Sequence, residues 1–260
     1  MMRGVPTVWG DEVGERLPGG NVHGAWRVGD TVRRTTGPWS PAVHALLKHL
    51  EQSGLPCVPR FLGHDGLGRE VLTYLPGRVV DLDTEELSDG QLIEVVAWTR
   101  GLHAALQDFD HPGPWRFPGP EGPIMLGHND IAPYNVCFDG DRLAGVFDWD
   151  LAGPTTPLLE LGHIAWTGVP LFRETPDDVV LDRLRLIAAA YGGVRPRQVL
   201  EACLERTQLA IDGIEAAVAA GDAGMINLAE TTGEPEPTRL RRAALLRRVP
   251  HLLALLDAGV

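Results

Sequence analysis

Apolar residues recur with two different periods along this 260-residue chain, and the change of period divides it into two parts. The first part reads as short strands plus one helix. Ala25–Val28 and Thr31–Thr35 flank Gly29-Asp30, a two-residue hairpin signal. Ser40 is the expected N-cap of a helix over Ala42–Gln52, with Pro41 in its first turn and Val43, Leu46, Leu47 and Leu50 on one face. Arg60–Gly63 and Glu70–Leu75 have the length and composition of two more strands. Leu75-Pro76-Gly77 ends the unit.

The second part is mainly helical. Leu92, Val95, Val96, Leu102 and Leu106 predict a helix over Asp89–Leu106, with Thr99 in the one gap of the stripe. Further helices are expected over Asp182–Tyr191, Arg197–Ala220 and Arg239–Leu256. Between them lies an island of β character at Ile124–Leu126, Asn135–Phe138 and Leu143–Trp149. This is an α+β plan of two lobes, residues 1–76 and 77–260.

Composition narrows the class. Hydrophobic residues at 44% and charged ones at 22% are ordinary for a globular chain. The net charge of −12 is unevenly placed: residues 1–78 carry 9 basic and 7 acidic side chains (net +2), the remainder 14 and 28 (net −14). So acidic a chain is a poor match to a nucleic-acid backbone. No apolar run approaches the roughly 18 residues of a membrane span, and the first twenty residues lack the apolar core of a signal peptide. Cys57, Cys137 and Cys203 have no metal-ligand spacing and no even pairing, which argues against a disulfide framework. The expectation is a cytoplasmic enzyme without nucleic-acid or membrane partners.

The chemistry is densest at residues 126–150, LGHNDIAPYNVCFDGDRLAGVFDWD. Asp139-Gly140-Asp141 reads as a hairpin turn. With Phe138 opposite Leu143, Asn135 falls opposite Val146, and Asp148 lies two residues further along, about 7 Å at the usual strand rise. That separation lets an amide oxygen and a carboxylate reach one divalent cation. An oxygen-only donor set suits Mg²⁺ rather than zinc. Asp130 precedes Asn135 by five residues, where a carboxylate can face a substrate hydroxyl.

His128-x-Asp130-x-x-x-x-Asn135, with Asp148 thirteen residues later, resembles the catalytic loop and metal-binding Asp of protein kinases. The wording HNDIAPYN…VFDWDLAG resembles more closely the aminoglycoside phosphotransferase-like family, whose pattern is H-G-D-x-x-x-x-N followed by I-D-W or I-D-F. The resemblance spans roughly residues 15–165. It implies a bilobal protein-kinase-like fold, with a small β-rich nucleotide lobe and a larger helical lobe. It also implies ATP and Mg²⁺ as cofactors, and transfer of the γ-phosphoryl group to a hydroxyl of a small molecule, an aminoglycoside or related antibiotic among the candidates. Asp130 would be the base or hydroxyl-orienting residue, and Asn135 and Asp148 the Mg²⁺ ligands. Gly19 and Gly20 would cover the phosphates, and Thr73 and Leu75 would lie in the hinge facing adenine. His128 and Glu160 are read as structural braces of the loop. Asp150 is left open between substrate or second-metal contact and a solvated carboxylate.

Three departures from the family pattern stand out. The strand position for a phosphate-holding Lys offers Arg33 and Arg34, with a slight preference for Arg33, because the only lysine is Lys48 in the helix. The helix position for its Glu partner holds Val43 or His44. Asn129 replaces the usual Gly, so it must take a left-handed conformation. These departures leave open a nucleotide-binding pseudokinase or regulatory protein. Val146-Phe147-Asp148-Trp149-Asp150 also resembles the nucleophile motif of haloacid-dehalogenase-like phosphatases, although the alternating β/α sheet those enzymes need is not legible here. Acidic stretches at Asp81, Asp83, Glu85, Glu86 and Asp89, and at Glu174, Asp177, Asp178 and Asp182, point to a cationic acceptor.

Overall fold

The computed structural model describes residues 7–9, 12–17, 24–82, 84–117, 119–120 and 124–258. The first lobe is an antiparallel sheet with one helix. Its strands are β1 (Thr7–Trp9), β2 (Glu12–Arg16), β3 (Ala25–Val28) and β4 (Thr31–Arg34), followed by α1 (Ser40–Ser53), β5 (Phe61–His64) and β6 (Glu70–Thr73). They are ordered β1-β2-β3-β4-β6-β5. β1 and β2 had no counterpart in the sequence pattern. In β4 and β6, Thr31 pairs with Thr73, Val32 with Leu72, Arg33 with Val71 and Arg34 with Glu70. The expected apolar face of α1 is the buried one, with Val43, Leu46, Leu47 and Leu50 at 4% exposure or less. Its start differs from the expectation. Trp39 is the N-cap and Ser40 the first helical residue, because the Ser40 hydroxyl instead accepts a hydrogen bond from the Gly37 N–H at 2.9 Å.

The connector to the second lobe is tied to it by backbone. Arg78 and Phe138 exchange N–H···O bonds, both 2.9 Å. Gly77 permits this approach, since a Cβ there would lie 2.8 Å from Cys137 Sγ. α2 (Asp89–Ala105) starts with a capping box between Ser88 and Gln91 and buries its predicted stripe. The β island follows as β7 (Met125–Gly127), β8 (Val136–Asp139), β9 (Arg142–Val146) and β10 (Gly153–Thr155), and β10 pairs with β7. The second lobe closes with α3 (Pro157–Gly168), α4 (Asp177–Tyr191), α5 (Pro196–Ala219), α6 (Ala223–Thr232) and α7 (Glu236–Ala258).

α4 begins five residues earlier than the apolar spacing suggests, because Asp177 and Asp178 suit a helix N-terminus. α3 and α6 were not expected from the apolar spacing. α3 is buried on almost every side and lies against α5. Gly162 makes that contact close, since a Cβ there would sit 2.6 Å from the Ala202 carbonyl carbon. The result is a small sheet lobe against a larger helical lobe, with the β island between them.

Candidate active site

The loop of residues 128–135 hangs between β7 and β8 and is braced from below. Asn129 adopts φ 65°, the left-handed conformation that replacing Gly demands. Its N–H donates to Glu160 Oε1 at 2.6 Å, and Glu160 Oε2 accepts from His103 Nε2 at 2.5 Å. Glu160 is 1% exposed, so its charge is stabilised by these partners; burial alone would raise its carboxyl, and the His103 and Asn129 hydrogen bonds hold it lower. The Asn129 side chain reaches the segment after Asp148, where Nδ2 donates to the Leu151 and Gly153 carbonyls at 3.1 and 3.2 Å. His128 shapes the loop through backbone alone. Its Nε2 donates to the Phe147 carbonyl and its Nδ1 accepts from the Asp130 N–H. Burial lowers its basicity, which keeps the ring neutral.

Asp130 is held at both oxygens. Oδ2 accepts from Asn135 Nδ2 at 2.7 Å, and Oδ1 accepts from His163 Nε2 at 3.1 Å. A carboxylate can only accept here, so His163 carries its proton on Nε2. Burial would raise the Asp130 carboxyl, but the His163 hydrogen bond and nearby positive charge outweigh it and hold it below the ordinary range. Arg206 on α5 contributes to that charge. It is 3% exposed, donates to the Asn129 carbonyl at 2.7 Å, and lies 5.1 Å from the centre of the Phe117 ring. The roles of His163 and Arg206 are tertiary. His163 lies on α3 with no motif around it.

The strand pairing places Asp148 differently from the expectation. A bulge between Cys137 and Phe138 shifts the β8–β9 register, so Phe138 does face Leu143, but Val136 rather than Asn135 faces Val146. The Asn135 carbonyl instead accepts from the Phe147 N–H at 2.9 Å, which still brings Asn135 next to Asp148. Asp148 takes φ 61° and ψ 69°, a left-handed conformation seldom adopted by a non-glycine residue. Trp149 enforces it. That side chain is 2% exposed, donates to the Val146 carbonyl and packs edge-on against Trp98. Local strain of about 1–3 kcal/mol is tolerated where packing over-determines the backbone.

Asn135 commits its amide N–H groups to Asp130, through the carbonyl at 3.0 Å and through Oδ2, which directs its Oδ1 away from that residue. Among the described residues no group of three or more His, Cys, Asp and Glu side chains is arranged to hold a metal. One amide oxygen and one carboxylate nevertheless fit Mg²⁺, which is commonly held by one or two protein oxygens together with substrate phosphates.

On the sheet side, Arg34 rather than Arg33 reaches the site. Its Nη2 lies 3.0 Å from Asp148 Oδ1 and 2.7 Å from Asp150 Oδ2. Adjacent strand residues face opposite ways, so Arg33 lies on the other face of β4. Burial would lower the basicity of Arg34, but Asp148, Asp150 and Glu70 outweigh it and keep the guanidinium charged. Asp150, 14% exposed at its side chain, is engaged by Arg34 and lies 3.8 Å from Arg116. It is therefore an ion-paired group rather than a solvated one. Thr73 uses its hydroxyl to accept from the Arg60 N–H at 2.8 Å, and Leu75 packs over Gly145 beside the connector. Gly19 and Gly20 lie outside the described residues, as does Asp83.

The acidic stretches are largely paired. Glu85 meets Arg78, Glu86 meets Arg173 and Arg183, Asp177 meets Arg248 and His251, and Asp182 meets Arg185. These pairings cancel much of the local charge, so the clusters supply less field to the cleft than their number suggests. No helix among the described residues is long and apolar enough to cross a membrane.

A β-rich lobe over a helical lobe, with a loop carboxylate and an adjacent metal-suited Asn/Asp pair between them, defines a kinase-like phosphotransferase fold. The phosphotransferase enzyme family profile matches residues 114–197, which contain the 128–135 loop, Asp148 and α3. Over that stretch the chain is similar to this family, and the solved structures that share its fold include aminoglycoside phosphotransferases. It is similar to the trifolitoxin immunity protein of Rhizobium leguminosarum bv. trifolii, 33% identical over 178 residues, 65% of this chain and 66% of that protein. The similarity thus spans just under two thirds of that relative. Among solved structures, an amicoumacin kinase bound to AMP-PNP, Ca²⁺ and amicoumacin superposes with a TM-score of 0.58 at 11% identity, over 94% of this chain and 87% of that one. The gentamicin complex of APH(2″)-IIa superposes at 0.55 with 14% identity, over 83% of this chain and 89% of that one. At these identities the likeness is one of fold.

Proposed function

We propose that this chain transfers the γ-phosphoryl group of ATP to a hydroxyl of a small molecule. One observation carries the reading. Asp130, Asn135 and Asp148 come together through the Asn135–Asp130 side-chain bond and the Phe147–Asn135 backbone bond. In this reading residues 1–76 bind the nucleotide, with Arg34, Thr73 and Leu75 on that side and Gly19 and Gly20 near the phosphates. Asn135 and Asp148 would hold Mg²⁺, which neutralises charge on the phosphates when bound. Asp130, held ionised by its partners, orients the acceptor hydroxyl and takes its proton. His163 and Asn135 keep that carboxylate in one rotamer, and buried Glu160 and Arg206 keep the loop beneath it in place.

The pseudokinase alternative rests on the absent strand lysine and helix glutamate. Arg34 supplies a cation at the cleft, and this favours an active enzyme. The test is Mg²⁺-dependent ATP consumption across a panel of hydroxylated acceptors, with product mass measured. Nucleotide binding without turnover on any acceptor would favour the pseudokinase.

The relative named as an immunity protein suggests that the acceptor is a toxin or antibiotic and the reaction protective. Expressing the chain in a sensitive host and measuring growth across antibiotic classes tests this. Protection lost in Asp130→Ala would tie it to phosphoryl transfer. A cationic acceptor is the finer expectation, supported by the net charge of −14 beyond residue 78. Added salt should then lower kcat/KM, because screening shortens electrostatic range to about 10 Å at 0.1 M.

A further inference from the structure

We propose that Glu70 is the residue that positions Arg34, taking over from the strand the task of the absent helix glutamate. This rests on the phosphotransfer reading above. Arg34 and Glu70 are direct cross-strand partners in the β4–β6 ladder, so their side chains leave the same face of the sheet. Both are buried, at 8% and 3% exposure.

The Glu70 carboxylate has a separate partner on each oxygen. Oε1 lies 3.8 Å from Arg34 Nε, and Oε2 accepts from His44 Nε2 at 2.8 Å. His44 is itself fixed, stacked on the Phe61 ring at a centroid distance of 3.6 Å with an interplanar angle of 11°. The helix thus still takes part, but with a donor where a carboxylate was expected. A buried carboxylate is retained only where its neighbours compensate its desolvation, and Arg34 and His44 are those neighbours.

This arrangement has a mechanical consequence. A cation held from a helix keeps its place only while that helix stays docked. Here the anchoring carboxylate sits in the same sheet as Arg34, so the ladder fixes their spacing directly. Glu70 occupies the Nε side of the guanidinium, which leaves Nη2 to face Asp148 and Asp150 in the cleft.

The test compares Glu70→Gln with wild type in three readouts: KM for ATP, KM for the acceptor and Mg²⁺-dependent binding of AMP-PNP. Gln retains the size and an acceptor oxygen for His44 but removes the charge. The expected result is about a tenfold or greater rise in KM for ATP, the scale of losing a charge-assisted contact, with acceptor KM unchanged. Melting temperature is measured alongside. If Glu70→Gln melts below the assay temperature, Glu70→Asp takes its place, and an intermediate rise in KM for ATP is expected from the displaced charge. Unchanged ATP affinity in the folded variant, with Arg34→Ala impaired, would overturn the positioning role while sparing the phosphotransfer reading. A parallel loss for ATP and acceptor would also overturn it, since that is the signature of a generally loosened fold. Wild type that binds no nucleotide would remove both, and that outcome is visible before any variant is made.

Discussion

His163 Nε2 on α3 lies 3.1 Å from Asp130 Oδ1 on the 128–135 loop, and neither residue is in the other's local sequence. The contact opposes a neutral ring to an ionised carboxylate. Burial first and the Arg206 cation second hold His163 below the ordinary imidazole range, against the pull of Asp130 and Glu160. Asp130 is meanwhile held low by that same hydrogen bond and the surrounding positive charge. At neutral pH the ring proton therefore stays on the histidine and the charge on the aspartate.

Asp130→Ala should lower kcat by about 10²–10⁴, the usual contribution of a positioned base, while KM for ATP stays nearly unchanged. Steady-state kinetics with ATP and acceptor varied separately checks this. A loss of tenfold or less would remove Asp130 from the mechanism.

The depressed basicity of His163 and His128 makes stability depend on pH with a definite sign. In the unfolded chain an imidazole takes up its proton near 6.5, whereas in the fold both rings resist it. Their contribution is therefore complete above about pH 6.5 and is lost as pH falls through and below that value. Asp130, also depressed, adds a second loss that begins only below about pH 4. Melting temperatures from pH 8 to pH 4 should show the first decline in wild type, and His163→Asn should flatten part of it. An identical slope in both proteins would contradict the assignment.

Arg34→Ala should weaken Mg·ATP binding about tenfold or more, on the scale of a lost charge-assisted contact. Arg33→Ala, on the opposite face of β4, should leave it within about twofold, a difference of under half a kcal/mol. Titration calorimetry on the two variants separates these outcomes, and equal losses would mean that the face of the strand does not decide the role.

Asn129→Gly sets two effects against each other. Glycine relieves the left-handed strain at φ 65°, which costs an asparagine about 1 kcal/mol. It also removes the Nδ2 bonds to the Leu151 and Gly153 carbonyls, and unmet buried acceptors cost about 1–3 kcal/mol. The net expectation is a destabilisation of about 1 kcal/mol with a lower kcat. Denaturant unfolding and steady-state kinetics check both parts. A more stable variant would show that strain, not the side-chain bridge, dominates at this position.

Asp148→Asn should abolish the Mg²⁺ dependence of nucleotide binding, and Asn135→Ala should weaken it less because Asn135 carries no charge. Binding measured with and without Mg²⁺ gives the comparison directly. A variant at either position that binds Mg·ATP as tightly as wild type would withdraw that residue from the proposed metal pair.

The approach of Asp130, Asn135 and Asp148 was legible from the sequence because they are carried on one short stretch of chain, where spacing alone limits what can meet. The stripes of α1 and α2 were legible for a similar reason, since helical periodicity is local and one face of each lies against the core. Gly29-Asp30 likewise announces the β3–β4 turn. Three relationships depended on the tertiary structure. The bulge at Cys137/Phe138 moved Asn135 off Val146, because ladder register depends on how two strands twist together and not on their spacing in the chain. Arg34 rather than Arg33 faces Asp148, because the facing side is set by the sheet and by what lies beneath it. Glu70 and His163 join the site through β-ladder pairing and the close packing of α3 on α5. A carboxylate and a histidine far from any motif become neighbours of Arg34 and Asp130 only once non-local packing brings their backbones together.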